Sequence, residues 1–412
     1  MGMENFENLL KKYAHLLIKR GLNVQEGQIL LINAEVEQAV FTRMLVAEAY
    51  AQGAGHVVVQ WSDQAIQKEE LLHADETFLT EIPDYVIARM NYQIEHRVSR
   101  LALRSIDPDG LAGVPEDRMA MSVRAANQAL APMREATQSN KVSWLVAAAA
   151  GQAWAEKVFP DLSSEAAVEA LWDQIFKTCR VYEEDPIQAW IDHEEKLESK
   201  AAILNAEQFT ALHYQAPGTD LILGMPENHH WESAGSRNEA GDYFLANMPS
   251  EEVFSAPDYR RADGYVTSTK PLSYNGTIIE GIKIHFQDGQ ITKVEASRGQ
   301  ETLEKLVFEN RGARSLGEVA LVPHQSPISQ SGIIFYNTLF DENASNHLAI
   351  GSAYAFSVEG GTEMTVEERQ AAGLNQSDVH VDFMIGSGQM DIDGIRADGS
   401  RVPIFRQGEW AI

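Results

Sequence analysis

The sequence predicts an α/β N-terminal domain built on a parallel sheet, followed by a β-rich α+β C-terminal domain. Three observations carry that prediction. The first is an apolar run, a helical stretch and a second β-rich run in succession near the N-terminus. The second is a change of character near Glu207, beyond which short alternating segments are punctuated by Gly, Asn and Asp. The third is length, since 412 residues suffice for two separately buried cores. The expected domains are therefore residues 1–206 and 207–412.

Along the chain, "ENFENLLKKYAHLLIKRG" places Phe6, Leu9, Leu10, Tyr13, Leu16 and Leu17 at helical spacing, with Gly21 as a stop. "QILLIN", "EQAVFTRMLVAEAYAQG" and "HVVVQW" then read as strand, helix and strand, hence a parallel βαβ unit. "SWLVAAAA" resembles a further buried strand, and helices fill much of Gln152 to Asn205. In the second half, "LHYQAPGTDLILGM", "TIIEGIKIHFQDGQITKVEA" and "SGIIFY" read as β segments, with Asp288 and Gly289 a hairpin turn signal. "DVHVDFMIG" alternates Val379, Val381, Phe383 and Ile385 with Asp378, His380, Asp382 and Met384, as along a half-buried strand. His380 and Asp382 then share one face.

Composition narrows the partners. A formal net charge of −27 argues against nucleic acid and anionic membranes, which need a positive footprint, and favours cationic ligands. No apolar run approaches the roughly 20 residues of a membrane helix. The N-terminus lacks a signal-peptide core, and Phe6 stands where a myristoylation pattern needs Ser or Thr. A single cysteine, Cys179, rules out an internal disulfide framework and fits a reducing cytoplasm.

Several motifs fail on inspection. "HEEKL" at His193 begins like a zinc-protease helix, but Leu197 takes the second histidine's place, which leaves a solvated helix face. "DIDGIRADG" at Asp391 starts like a calcium loop, yet Ile395 stands at a ligand position, so a turn is the better reading. His229 and His230 in "ENHHW" would point to opposite faces of a strand. No phosphate loop, dinucleotide fingerprint or nucleophile elbow is present.

What remains is a set of metal-capable residues in the C-terminal half: Glu251 and Glu252 in "NMPSEEVFSAP", Glu318 in "SLGEVALVP", Glu342, His347 and Tyr354 in "DENASNHLAIGSAY", then His380 and Asp382. Taken singly, each suits a structural role. Together they supply several acids, two imidazoles and little sulfur, the donors of a carboxylate-rich two-metal site. Burying Glu318 inside an apolar run is costly unless it is paired or bound to a cation. Spacing alone does not decide between the two readings.

The four segments "NMPSEEVFSAP", "SLGEVALVP", "FDENASNHLAIGSAY" and "HVDFMIGS", in that order, resemble those of the AmpS, PepS and aminopeptidase T group of dinuclear metallo-aminopeptidases. The resemblance runs from the βαβ start to the last strands. It implies metal ligands at Glu252, Glu318, His347, Tyr354, His380 and Asp382, with Glu342 a ligand or a group beside one. It also implies a catalytic C-terminal domain, two divalent ions (zinc, cobalt, manganese or magnesium), short peptides with a free amino terminus as substrates, and a homodimer. Expected catalytic roles are a bridging carboxylate for Glu318, metal binding or oxyanion donation for Tyr354, and proton transfer to the leaving amine for Glu251. Three other readings compete: a metal-dependent hydrolase of another amide or ester, a metal-free peptide-binding module, and a structural metal site.

Overall fold

The structure is a computed structural model in which residues 5–412 are described. Met1–Glu4, part of the stretch on which myristoylation is excluded, lie outside the described residues. The chain divides into two compact units, Met1–His193 with Gly235–Ser250, and Glu194–Ala234 with Glu251–Ile412. The division falls inside one long helix, Pro186–Glu207, and the 206/207 position lies at that helix's end. Composition shifts where helix gives way to strands, a few turns after the first crossing between units.

In the first unit, helix α1 (Phe6–Leu16) runs on into a wider turn over Leu17–Gly21. Its apolar stripe is buried, and Tyr13 stacks on Phe41 with ring centroids 5.4 Å apart. Gly21 is required by packing, since a Cβ there would stand 2.5 Å from Leu145 Cδ2. The sheet comprises β1 (Ile29–Glu35), β2 (His56–Ser62), β3 (Ser99–Arg104), β4 (Trp144–Ala148) and β5 (Asn247–Met248). All pairings are parallel, in the order β2-β1-β3-β4-β5, a doubly wound arrangement. Strand β1 is interior, between β2 and β3, and Leu30, Leu31 and Ile32 are buried in succession, the continuous apolar run typical of a parallel sheet. Edge strand β2 leaves Val58 and Trp61 exposed.

The second unit holds an eight-stranded antiparallel sheet made from residues 211–224, 262–295 and 391–410. Asp288 and Gly289 both have positive φ, 50° and 79°, as the two-residue turn of "QDGQ" requires. "SGIIFY" is not a strand. The Asp341 carboxylate accepts the backbone N–H groups of Phe335 and Asn337, and Tyr336 takes φ 53°, so this stretch is tied into a loop.

A four-stranded antiparallel sheet completes this unit: β6 (Val253–Ser255), β7 (Leu316–Leu321), β8 (His347–Gly351) and β9 (His380–Met384), paired in that order. Every residue of β7 and β8 is buried. Strand β9 is not half-buried as the alternation predicts: Val381 and Phe383 are covered on one face, Asp382 and Met384 on the other. A register shift between Leu316 and Glu318 makes Gly317 the extra residue of a bulge. A Cβ at Gly317 would lie 2.3 Å from the Gly351 carbonyl oxygen, and Gly351 itself sits at φ 112° against Val379. These glycines let the strands close around Glu318.

Candidate metal centre

Register places the polar residues of this sheet. Glu318, Ala349 and Asp382 form one cross-strand row, and Phe254, Ala320, His347 and Met384 form the next. Gly351 faces His380. Residues directly opposite in an antiparallel pair share a face, as do residues two apart. Glu318, His347, His380 and Asp382 therefore project from one face, and Glu252, two residues before Phe254, joins them by parity. Ala320, Ala349 and Gly351 fill the intervening positions with little side chain, which leaves room above the sheet.

Two groups of donor atoms gather there. One is Glu252, Glu318 and His347; the other is Glu318, His380 and Asp382. Glu318 belongs to both. Its Oε1 lies 3.4 Å from His347 Nε2, and its Oε2 lies 3.4 Å from His380 Nε2. His347 Nε2 is also 3.2 Å from Glu252 Oε2, and His380 Nε2 is 3.5 Å from Asp382 Oδ1. Each imidazole is held from behind: His347 Nδ1 bonds the Ser345 carbonyl at 3.0 Å and His380 Nδ1 the Ser352 carbonyl at 2.6 Å. An Nδ1 that donates to a carbonyl leaves Nε2 with its lone pair in the neutral ring, the tautomer of a metal ligand.

Around these groups, Glu342 is buried at the start of a short 3-10 turn, outside the two clusters but near enough that Asp382 and Glu252 act on it. Tyr354 meets the His380 ring edge-on at 5.2 Å. Glu251 is buried, and its backbone N–H donates to Asn343 Oδ1 at 2.7 Å.

The electrostatics are those of a site short of positive charge. Glu252, Glu318, Glu342 and Asp382 are four buried carboxylates against two imidazoles, so even two imidazolium ions would leave net negative charge. Burial raises the Glu252 carboxyl, and Glu318 and Asp382 add to this against the pull of His347. Burial, then Asp382 and Glu252, push Glu342 well above the usual range. For Glu318 burial also acts upward, but hydrogen bonds from His347 and His380 overcome it and bring it to about 2. Both imidazoles lose to burial and gain more from the carboxylates, ending well above the ordinary value. Glu252 Oε2 and Asp382 Oδ1 are buried with no well-aligned hydrogen bond, only the 3.2 and 3.5 Å approaches of the two imidazoles. Buried carboxylate oxygens beside two imidazoles whose Nε2 can give up its proton to a metal are a donor set that fits divalent cations.

Elsewhere the rejected motifs resolve differently. His229 and His230 diverge as expected, with His229 buried against the Pro226 carbonyl and His230 3.4 Å from Glu232. Asp391–Ile395 is a strand followed by a turn, in which Asp391 accepts the Gln407 N–H. "HEEKL" requires correction. Its helix face is not solvated: Glu194 and Leu197 are buried, and His193 bonds the Ser250 carbonyl. Glu195 and Lys196 of that stretch are exposed, and His193 is partly covered. Asn343 carried no sequence signal, because its role depends on a peptide 92 residues away.

Comparison with known proteins adds the following. The family profile described as thermophilic metalloprotease matches residues 6–410. Aminopeptidase PepS of Streptococcus thermophilus is 62% identical over 413 residues, covering all of both chains. Aminopeptidase AmpS of Bacillus subtilis is 49% identical over 409 residues, 99% of this chain and 100% of that one. The solved structure of wild-type AmpT from Thermus thermophilus superposes with a TM-score of 0.91 at 40% identity, covering 99% and 100% of the two chains.

Two outcomes follow from the geometry. Asp382→Asn keeps the shape of the second cluster and removes the charge that holds a cation, so divalent-metal affinity should fall by more than about 100-fold, beyond what loss of a supporting group costs. Circular dichroism and metal titration of the folded variant measure this. The second concerns pH. Glu252 and Glu342 are raised above 4.5 and His347 and His380 above 6.5, so the metal-free folded state holds protons that the unfolded chain releases. Stability should therefore drop as pH rises from mildly acidic to alkaline, and added divalent ion should flatten the profile. Thermal unfolding of chelator-stripped protein across that range, with and without metal, reads the sign directly.

Proposed function

The chain belongs to the thermophilic metalloprotease family, and on that premise we propose that this peptidase is an aminopeptidase, releasing N-terminal amino acids from short peptides with the help of two divalent ions. One observation carries the two-ion reading: Glu318 is shared by two donor clusters, and each of its oxygens faces a different imidazole. Glu252, Glu318 and His347 would hold one ion, and Glu318, His380 and Asp382 the other. The relatives named PepS and AmpS support the exopeptidase reading through their identity over the whole chain.

When bound, such ions supply Lewis acidity that polarises a scissile carbonyl and lowers the pKa of a nucleophilic water toward neutrality. The chain's own residues do the rest. Glu318 holds both half-sites together and offsets part of the repulsion between their charges. Burial, followed by the surrounding carboxylates, keeps the Tyr354 phenol well above its ordinary pKa, so it remains a neutral donor suited to the developing oxyanion. Glu342, buried near Asp382 and Glu252, would offer a further oxygen donor, either to metal or to a group beside it. Glu251, buried beside Glu252, is the group we assign to carry a proton to the leaving amine.

Oxygen and nitrogen donors accept zinc, cobalt, manganese or magnesium alike. Among the described residues no helix is long and apolar enough to cross a membrane; a cytoplasmic setting belongs to the same reading, and it is supported by a sequence with one cysteine, which is buried.

An unblocked dipeptide should be hydrolysed near neutral pH and an N-acetylated one should not, with activity lost to a strong chelator. Equal turnover of both peptides would favour a general amide or ester hydrolase, and no turnover with metal bound would favour a binding or structural role. A homodimer is part of the same reading, and sedimentation should give about twice the 45.7 kDa chain mass.

A further inference from the structure

Asn343 is wholly buried in the short turn Glu342–Ala344, and its side chain bonds in two directions. Nδ2–H donates to the Leu339 carbonyl, one turn back, at 2.9 Å, which anchors the amide to its own segment. Oδ1 accepts the backbone N–H of Glu251 at 2.7 Å, 92 residues away in the chain and within the same compact unit. The Ser326 hydroxyl donates to the Asn343 carbonyl at 3.1 Å, so the backbone that carries the amide is tied as well. One end of this link carries Glu342, whose Oε1 lies 3.5 Å from Asn343 Nδ2. The other end leads directly into Glu252.

Those two acids resist being brought together. Both are buried, and each carboxylate, when ionised, repels the other. A neutral amide spanning the two segments fixes their separation without adding charge. Metal donor atoms need to be held within about 0.5 Å of their productive place by groups that are themselves fixed. Glu252 precedes β6, and the Glu251 N–H lies on the residue immediately before it.

We propose that Asn343 is a positioning residue of the metal centre, accepting the Glu251 N–H so that Glu252 reaches the Glu318–His347 cluster. The proposal rests on reading Glu252 as a metal ligand. Asn343 is not itself a donor to the ions; it acts through the backbone of the neighbouring segment.

Two substitutions separate the two directions of the amide. Asn343→Ser can still donate to the Leu339 carbonyl, the i−4 bond open to a helical hydroxyl, but it is a bond too short for the Glu251 N–H. Asn343→Asp keeps an oxygen for that N–H and loses the donor to Leu339. The measurements are cobalt(II) titration and the cobalt(II) visible spectrum on folded, metal-stripped protein, with thermal unfolding of the metal-free state alongside. In Asn343→Ser one ion should bind about 10- to 100-fold more weakly, the range for groups that support a ligand, while the other binds as in the parent. It should be the ion that Glu252→Gln also weakens. Asn343→Asp should stay close to the parent. Unchanged binding in Asn343→Ser overturns the proposal, as does a loss confined to the other ion. Equal weakening of both ions, or equal loss in both Asn343 variants, assigns the effect to packing and overturns it too. Hydrogen exchange at the Glu251 amide of the metal-free parent needs no variant to fold: the amide should be protected, and exchange as fast as in an unstructured chain overturns the proposal. Glu252→Gln is the control arm: weakened cobalt(II) binding there keeps the site reading intact whatever Asn343 does. Unchanged binding in Glu252→Gln would remove that reading and this proposal with it.

Discussion

Glu318 sits in a strand buried at every position, and the arrangement around it answers the cost of putting a carboxylate there. An unpaired buried charge costs roughly several kcal/mol. Here each oxygen meets an imidazole, and each imidazole is braced by a backbone carbonyl. The bulge at Gly317 and the small residues Ala320, Ala349 and Gly351 serve the same end, turning Glu318 to the common face and keeping that face clear. Yet the four carboxylates exceed what two imidazoles can neutralise. The sheet is complete as packing and incomplete as electrostatics, which is the physical case for cations in this unit.

The clustered donor residues come from adjacent strands, and strand geometry converts sequence spacing into spatial order. Two-residue spacing puts His380 and Asp382 on one face, and antiparallel register brings Asp382 opposite Ala349 and Ala349 opposite Glu318. A rigid four-stranded frame positions side chains more tightly than loops would. Glu252 is the exception, since it lies outside the ladder, and its neighbours Ser250 and Glu251 carry side-chain hydrogen bonds that strand pairing would otherwise replace.

Much of this was legible in the residues. The βαβ start, the strand in "SWLVAAAA" and the hairpin at Asp288–Gly289 rest on local periodicity and turn chemistry, which need no tertiary information. Alternation correctly put His380 and Asp382 on one face, but it could not reveal that the face is covered, because burial depends on what packs above it. "SGIIFY" failed for a related reason: its β-prone residues lost their ladder to a carboxylate six residues on, at Asp341. "HEEKL" failed because charge was taken for exposure, whereas the helix turns Glu194 inward. The donor clusters themselves were visible only as a scatter of acids and histidines until register joined them.

The interleaving of the two units along the chain sets an order of assembly. Strand β5 of the first unit is made from residues 247–248, after the chain has already entered the second unit and returned. The parallel sheet therefore stays one strand short until well past the chain's midpoint during synthesis. His380 and Asp382 arrive later still, so a growing chain presents Glu252, Glu318 and His347 long before the second cluster exists. Pairings of such long sequence separation form slowly, because chain entropy is spent before contacts repay it. An emerging polypeptide thus passes through a stage with half a donor set and an open sheet edge, the stage at which wrong-metal capture and misassembly would compete with completion.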